Sequence, residues 1–137
     1  MDDGADNKRK LSETAEALLR EVVRLPDMLF VMGKSPQAVM EGWVSMDETQ
    51  VSVQEDWISV EGKAWHCHLH LAEVRDFLFV EEPDVHDRKR QAFSIRFLQQ
   101  DKAPLLMIFF GQMYDNAGVL SADKVARFRS LQDRYRL

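Results

Sequence analysis

A chain of 137 residues with 45% hydrophobic and 30% charged side chains has an ordinary globular balance and is long enough to bury a core of its own, which excludes wholesale disorder. Its formal charge of −5 argues against general nucleic-acid binding, which needs a basic face to displace counterions. The longest apolar run, Leu105 to Gly111, is too short to cross a bilayer, so neither nucleic acid nor membrane is expected as a partner.

The N-terminus, MDDGADNKRK, carries no apolar stretch of the secretory type. One cysteine, Cys67, excludes an intramolecular disulfide and fits a reducing compartment. A cytoplasmic protein is the expectation. Residues 1–10 read as a disordered tail with nothing apolar to dock it. Residues 11–137 read as a single domain without repeats or linkers.

Leu11 to Leu25 reads as the first helix, with Leu11, Ala15, Leu18, Val22 and Leu25 on one stripe. Ser12 is placed to cap its start and Pro26 to stop it. The period then changes from 3.6 to 2. Met28–Met32, Ala38–Met46, Gln50–Gln54, Trp57–Val60, Ala64–Leu71, Val74–Glu81, Gln91–Gln99 and Leu105–Phe110 read as strands. Gly33-Lys34-Ser35-Pro36 and Glu61-Gly62-Lys63 read as turns, and Pro83 to Arg90 as a charged loop. Ser121 caps a closing helix that turns Ala122, Val125, Phe128, Leu131 and Tyr135 inward. Helix, seven or eight strands, helix is an α+β order with a largely antiparallel sheet.

Two strands depart from simple alternation. Phe77 to Val80 runs apolar without a break, and Leu105 to Phe110 is apolar on both faces. An antiparallel strand with one wet face alternates, so something covers the second face. Either the two helices and a curled sheet bury all of it, or a second sheet, a partner subunit or a flat apolar ligand covers the remainder.

The most specific local pattern is Trp65-His66-Cys67-His68-Leu69-His70-Leu71. On a strand, Trp65, Cys67, Leu69 and Leu71 share one face and the three histidines the other. Imidazoles two residues apart are separated by roughly 6.5–7 Å along the strand. They are a solvated face, a pair for one metal ion, or a source of one ligand to a haem iron. The fourth histidine, His86, and Glu73 do not obviously converge on them. Arg75 and Arg96 flank these strands and could pair with ligand carboxylates, and Tyr114 follows the apolar strand at a position where loops line pockets. Cys67, on the apolar face, reads as a small buried hydrophobe. No phosphate loop, nucleophile elbow, His-Glu-x-x-His or Cys-x-x-Cys motif occurs.

From about Trp57 to Tyr135 the order of features resembles the HemS/ChuX-like haem-utilisation family, and most closely its short, single-unit members. The features are the strand with His68-Leu69-His70, the strand Phe77-Leu78-Phe79-Val80-Glu81 and its charged loop, the strand Ala92-Phe93-Ser94-Ile95-Arg96-Phe97, the apolar strand ending Phe109-Phe110-Gly111, and the helix from Ser121. The resemblance implies a cytoplasmic haem-binding or haem-trafficking protein, a homodimer with sheets back to back, and haem or a related tetrapyrrole in a cleft. It matches the family's ligand-bearing histidine to His68, the axial candidate for the haem iron. A second ligating histidine of some members would fall near Met32. Many members read Gly-Arg-Asp after the apolar strand; here Gly111-Gln112-Met113-Tyr114-Asp115 stands instead, leaving Arg75, Arg90 and Arg96 as cations for the haem carboxylates. The binding set expected is therefore His66, His68, His70, Arg75, Arg96 and Tyr114, with no catalytic residue assigned. The competing readings are a haem-degrading enzyme, an activity of some relatives, and a ligand-free dimeric interaction module.

Overall fold

A computed structural model describes residues 3–35 and 38–136. Helix α1 (Asp3–Val22) is followed by eight strands, β1 (Met28–Ser35), β2 (Ala38–Trp43), β3 (Gln50–Gln54), β4 (Trp57–Glu61), β5 (His66–His70), β6 (Asp76–Pro83), β7 (Gln91–Leu98) and β8 (Pro104–Phe110). A short 3-10 turn (Leu71–Glu73) separates β5 from β6, and α2 (Ala122–Arg134) closes the chain. The class is α+β, as the alternation of periods implies.

The helix start differs from expectation. Residues 3–10, read as tail, form the first turns of α1, so Ser12 lies inside the helix rather than at its cap. Asp6 to Lys10 are exposed, which is why no apolar periodicity announces them; a local Arg9–Asp6 pair at 3.3 Å accompanies these turns. Further on, Leu11, Ala15, Leu18, Leu19 and Val22 are buried. The helix ends before Pro26, and Asp27 takes a left-handed conformation, φ 61°, that redirects the chain into β1.

A second difference concerns the expected turn at Gly33–Pro36. Strand β1 runs on through Ser35 and pairs Met32 with Met40 and Ser35 with Ala38, with a register irregularity between. Gly33 has φ 145°, a region that favours glycine, so the chain bends there without leaving the strand. Pro36 lies outside the described residues.

The strands make two antiparallel sheets rather than one. Five strands are ordered β2-β1-β8-β7-β6 and three are ordered β3-β4-β5. One hydrophobic cluster joins the inner faces of both to the helices, with Phe30, Ile95, Phe97 and Ile108 from the larger sheet, and Ile58, Val60, Cys67 and Leu69 from the smaller. Helix α2 is capped by Ser121, whose Oγ accepts from the Lys124 amide at 3.3 Å. It inserts Val125, Phe128 and Leu131. Gly111, at the exit of β8, donates its amide to the Asp27 carbonyl at 2.7 Å. A Cβ there would stand 2.8 Å from that oxygen and 2.9 Å from the Trp43 ring, so the close approach requires glycine.

The outer face of the five-stranded sheet is also apolar. The registers align Trp43, Leu29, Phe109 and Ser94 in one row across four strands, and Val31, Met107, Arg96 and Leu78 in the next. Alternation along β8 therefore sends Leu106, Ile108 and Phe110 into the core and leaves Leu105, Met107 and Phe109 half-buried on the outside. The second apolar face anticipated from Leu105–Phe110 exists.

The two helices are tied to each other by polar contacts. Arg134 donates two hydrogen bonds to the Glu21 carboxylate, at 3.0 and 2.7 Å, and the Tyr135 hydroxyl donates a third. The Arg134 bonds hold the Glu21 carboxyl below its ordinary value against an opposing effect of partial burial. A depressed carboxyl contributes stability that is present above its unfolded pKa and is lost as pH falls through its folded value. Glu21→Gln is therefore expected to lower the melting temperature modestly at neutral pH, because Arg134 is half exposed and exposed pairs contribute little. That difference should vanish in acid below the folded pKa, as followed by circular dichroism melts across pH.

Candidate functional site

The histidine strand β5 lies at an edge of the three-stranded sheet and pairs on one side only, with β4. Its alternation is as the sequence implies. Cys67 and Leu69 are buried, His66 and His68 are exposed, and His70 is half-buried. Register then gives each imidazole a different cross-strand neighbour: Glu61 opposite His66, Ser59 opposite His68 and Trp57 opposite His70. Ser59 Oγ and His68 Nδ1 share a hydrogen bond of 2.7 Å. The Trp57 indole lies flat on the His70 ring, with centroids 4.5 Å apart and planes 8° from parallel. The His66 and His68 rings are 5.3 Å apart and inclined at 57°. The face thus presents an imidazole anchored through one nitrogen, beside a flat stack of two rings of which Trp57 remains 46% exposed.

The six residues expected to bind a ligand do not converge on one place. His66, His68 and His70 share the outer face of β5. Arg75 follows five residues after His70 and donates to the Ala72 carbonyl at 3.1 Å. Arg96 stands on the outer face of the other sheet, where it is paired with Glu82, so it is an engaged cation rather than a free one. Tyr114 lies beyond β8, and its hydroxyl accepts from the Gln91 amide at 2.8 Å. The Arg90 guanidinium sits over its ring at 4.9 Å.

Tyr114 and Arg90 belong to a second concave feature. A cleft of about 460 Å³ opens on the outer face of the five-stranded sheet, with Leu29, Val31, Trp43, Met107 and Phe109 as apolar lining. Glu82, His86, Arg90 and Tyr114 also line it. The β5 histidines do not. Sequence reasoning identified the histidine face but not Ser59 or Trp57, because a cross-strand partner is fixed by register. The Glu61-Gly62-Lys63 turn was the available clue to that register. It missed Trp43 and His86 as cleft residues because the lining comes from separate stretches of chain.

Trp65, on the same face as Cys67 and Leu69, packs against the edge of the core. It is half-buried, packs 5.4 Å from the Phe30 ring and donates its indole N–H to the Trp43 carbonyl at 2.8 Å. Cys67 is buried, and desolvation pushes its thiol up to about 11. It is therefore a neutral thiol at ordinary pH, neither nucleophile nor ready metal ligand. Among the described residues no group of three or more His, Cys, Asp or Glu side chains could hold a metal ion, and no helix is long and apolar enough to cross a membrane.

A protein-family model matches residues 16–134, most of the chain. No curated protein matches it. Among solved structures, the haem-binding protein ChuX superposes with a TM-score of 0.72 at 13% identity, covering 92% of this chain and 75% of ChuX. Holo-PhuS, a haem-binding protein from Pseudomonas aeruginosa, gives 0.65 at 12% identity over 88% of this chain and 32% of PhuS. ChuS, an E. coli haem oxygenase, gives 0.60 at 11% identity over 92% of this chain and 35% of ChuS. The chain thus spans about a third of the two longer proteins, and at these identities the likeness is one of fold.

Proposed function

The chain belongs to the ChuX/HemS-like haem-utilisation family, and from that premise we propose that it binds haem without transforming it, as a homodimer in a reducing, cytoplasmic setting. The observation that carries this reading is the outer face of β5, where His68 is exposed yet held through Nδ1 by Ser59. A haem site needs an axial ligand, flat apolar walls and cations at the rim. The donor set fits. His68 is the axial candidate, the Trp57–His70 stack is a planar surface beside it, and Arg75 follows in the next segment of chain. Haem, if bound there, would supply an iron that the neutral imidazole of His68 could ligate.

The homodimer is supported by the outer face of the other sheet. Its rows of Trp43, Leu29, Phe109 and of Val31, Met107, Leu78 are an extended apolar surface of the kind that marks interaction sites. A second copy presenting the same face would cover it in an isologous interface. Arg96 and Glu82 meet on it as a pair, and Glu41, in register with Val31, stands at its β2 edge.

Titration of the purified protein with hemin tests the binding reading. One hemin per chain with a shifted Soret band is expected, and the loaded protein should return intact hemin after incubation with a reductant. A spectrum that is the sum of protein and free hemin contradicts the reading. Release of iron with formation of a bilin would favour degradation instead.

A further inference from the structure

The outer face of the three-stranded sheet is polar and open. Register sets its side chains in three rows: Gln50, Glu61 and His66; Ser52, Ser59 and His68; Gln54, Trp57 and His70. No lysine or arginine is among them, and Glu61 brings a carboxylate across from His66. His66 and His68, two residues apart on the edge strand β5, are exposed, and their ring centroids lie 5.3 Å apart. Two imidazoles that share one tetrahedral ion through bonds of about 2.0–2.1 Å have ring centres about 5–5.5 Å apart, so the pair already stands at a chelating separation. The hydrogen bond of 2.7 Å to Ser59 engages Nδ1 of His68 and leaves Nε2 as its free nitrogen. His70 is set apart, its ring stacked on Trp57 at 4.5 Å.

We propose that His66 and His68 form a site for one hydrated divalent transition-metal ion of the zinc, nickel or copper class, held by two imidazole nitrogens with water in its other positions. Imidazole suits these borderline ions, whereas magnesium and calcium take oxygen ligands. Among the described residues no set of three or more His, Cys, Asp and Glu side chains forms a cage, so the site is open rather than the closed four-ligand kind that holds a fold together. The polar, water-accessible surroundings suit an ion that keeps part of its hydration shell. The Glu61 carboxylate and the lack of any neighbouring cation on this face favour a doubly positive charge there. A haem iron at His68 would claim the same nitrogen, so the two loads exclude each other, and the ion site stands or falls without the haem reading.

Calorimetric titration of the untagged, metal-free full chain with Cu(II) and with Zn(II) tests this. One ion per chain is expected, with Cu(II) held more tightly than Zn(II), imidazole-nitrogen couplings in the EPR spectrum of the copper form, and no displacement by a large excess of Mg(II). His66→Ala and His68→Ala should each weaken the ion by at least about a hundredfold, because losing only the hydrogen-bond partner of a ligand already costs about tenfold to a hundredfold. His70→Ala should leave the affinity unchanged. Both ligand residues are exposed, so their variants leave the core intact, which equal melting temperatures verify. A wild-type protein that takes up neither Cu(II) nor Zn(II), or a His66→Ala variant that binds them as the wild type does, overturns the assignment. Displacement by Mg(II) overturns it too, since it would place the ion on carboxylates.

Discussion

Phe128→Ala is expected to destabilise the protein by about 3–5 kcal/mol, the range for truncating a fully buried phenylalanine. Phe128 has no solvent exposure. Its ring meets Phe79, Phe93 and Phe110 edge-on, with centroids 5.5, 5.3 and 5.0 Å away. Those three rings come from β6, β7 and β8, so one side chain of α2 closes the core over three strands. Edge-to-face pairs contribute beyond the area they bury. The cavity left by alanine is lined by rigid rings on hydrogen-bonded strands and cannot collapse easily, which places the cost towards the upper end. Thermal melts followed by circular dichroism should show Tm falling by roughly 10–20 °C. A fall of only a degree or two would mean that α2 is not docked as described.

Phe109→Asp is the second large effect, and it falls on association rather than folding. Phe109 is half-buried on the outer face of β8, flanked by Leu29 and Ser94 on the neighbouring strands. Neither neighbour offers a cation. In the isolated chain the carboxylate can still reach water beside the cleft. In a dimer that buries this face the carboxylate is withdrawn from water among apolar side chains, which costs several kcal/mol. The dissociation constant of the dimer is expected to rise by more than about a hundredfold, equivalent to about 2.7 kcal/mol. Light scattering should report a dimer mass for the wild type and for Phe109→Leu, and a folded monomer for Phe109→Asp. A variant that keeps the wild-type mass would remove this face from the interface.

Strand boundaries were readable where side chains alternate against a single core. Gln50–Gln54 is matched at both ends, and Gln91–Leu98 and Pro104–Phe110 to within a residue. The division into two sheets was not readable. Trp57–Glu61 and His66–His70 show the same one-sided alternation whether they extend the large sheet or form a small one, and only long-range pairing decides. The first turns of α1 were missed because Asp6 to Lys10 bury nothing. At the site, period-2 geometry was enough to separate Cys67 and Leu69 from the histidines. It could not show that Ser59 rather than Glu61 faces His68, nor that Arg96 is engaged by Glu82 fourteen residues earlier, since both depend on strand register.

The central claim is that His68 is the residue through which this chain holds haem, and parallel hemin titrations of the wild type, His68→Ala and His70→Ala test it most directly. The account predicts a shifted Soret band at one equivalent for the wild type, a band altered in position with affinity reduced by more than about a hundredfold for His68→Ala, and a lesser change for His70→Ala. A His68→Ala spectrum and affinity indistinguishable from the wild type would contradict it.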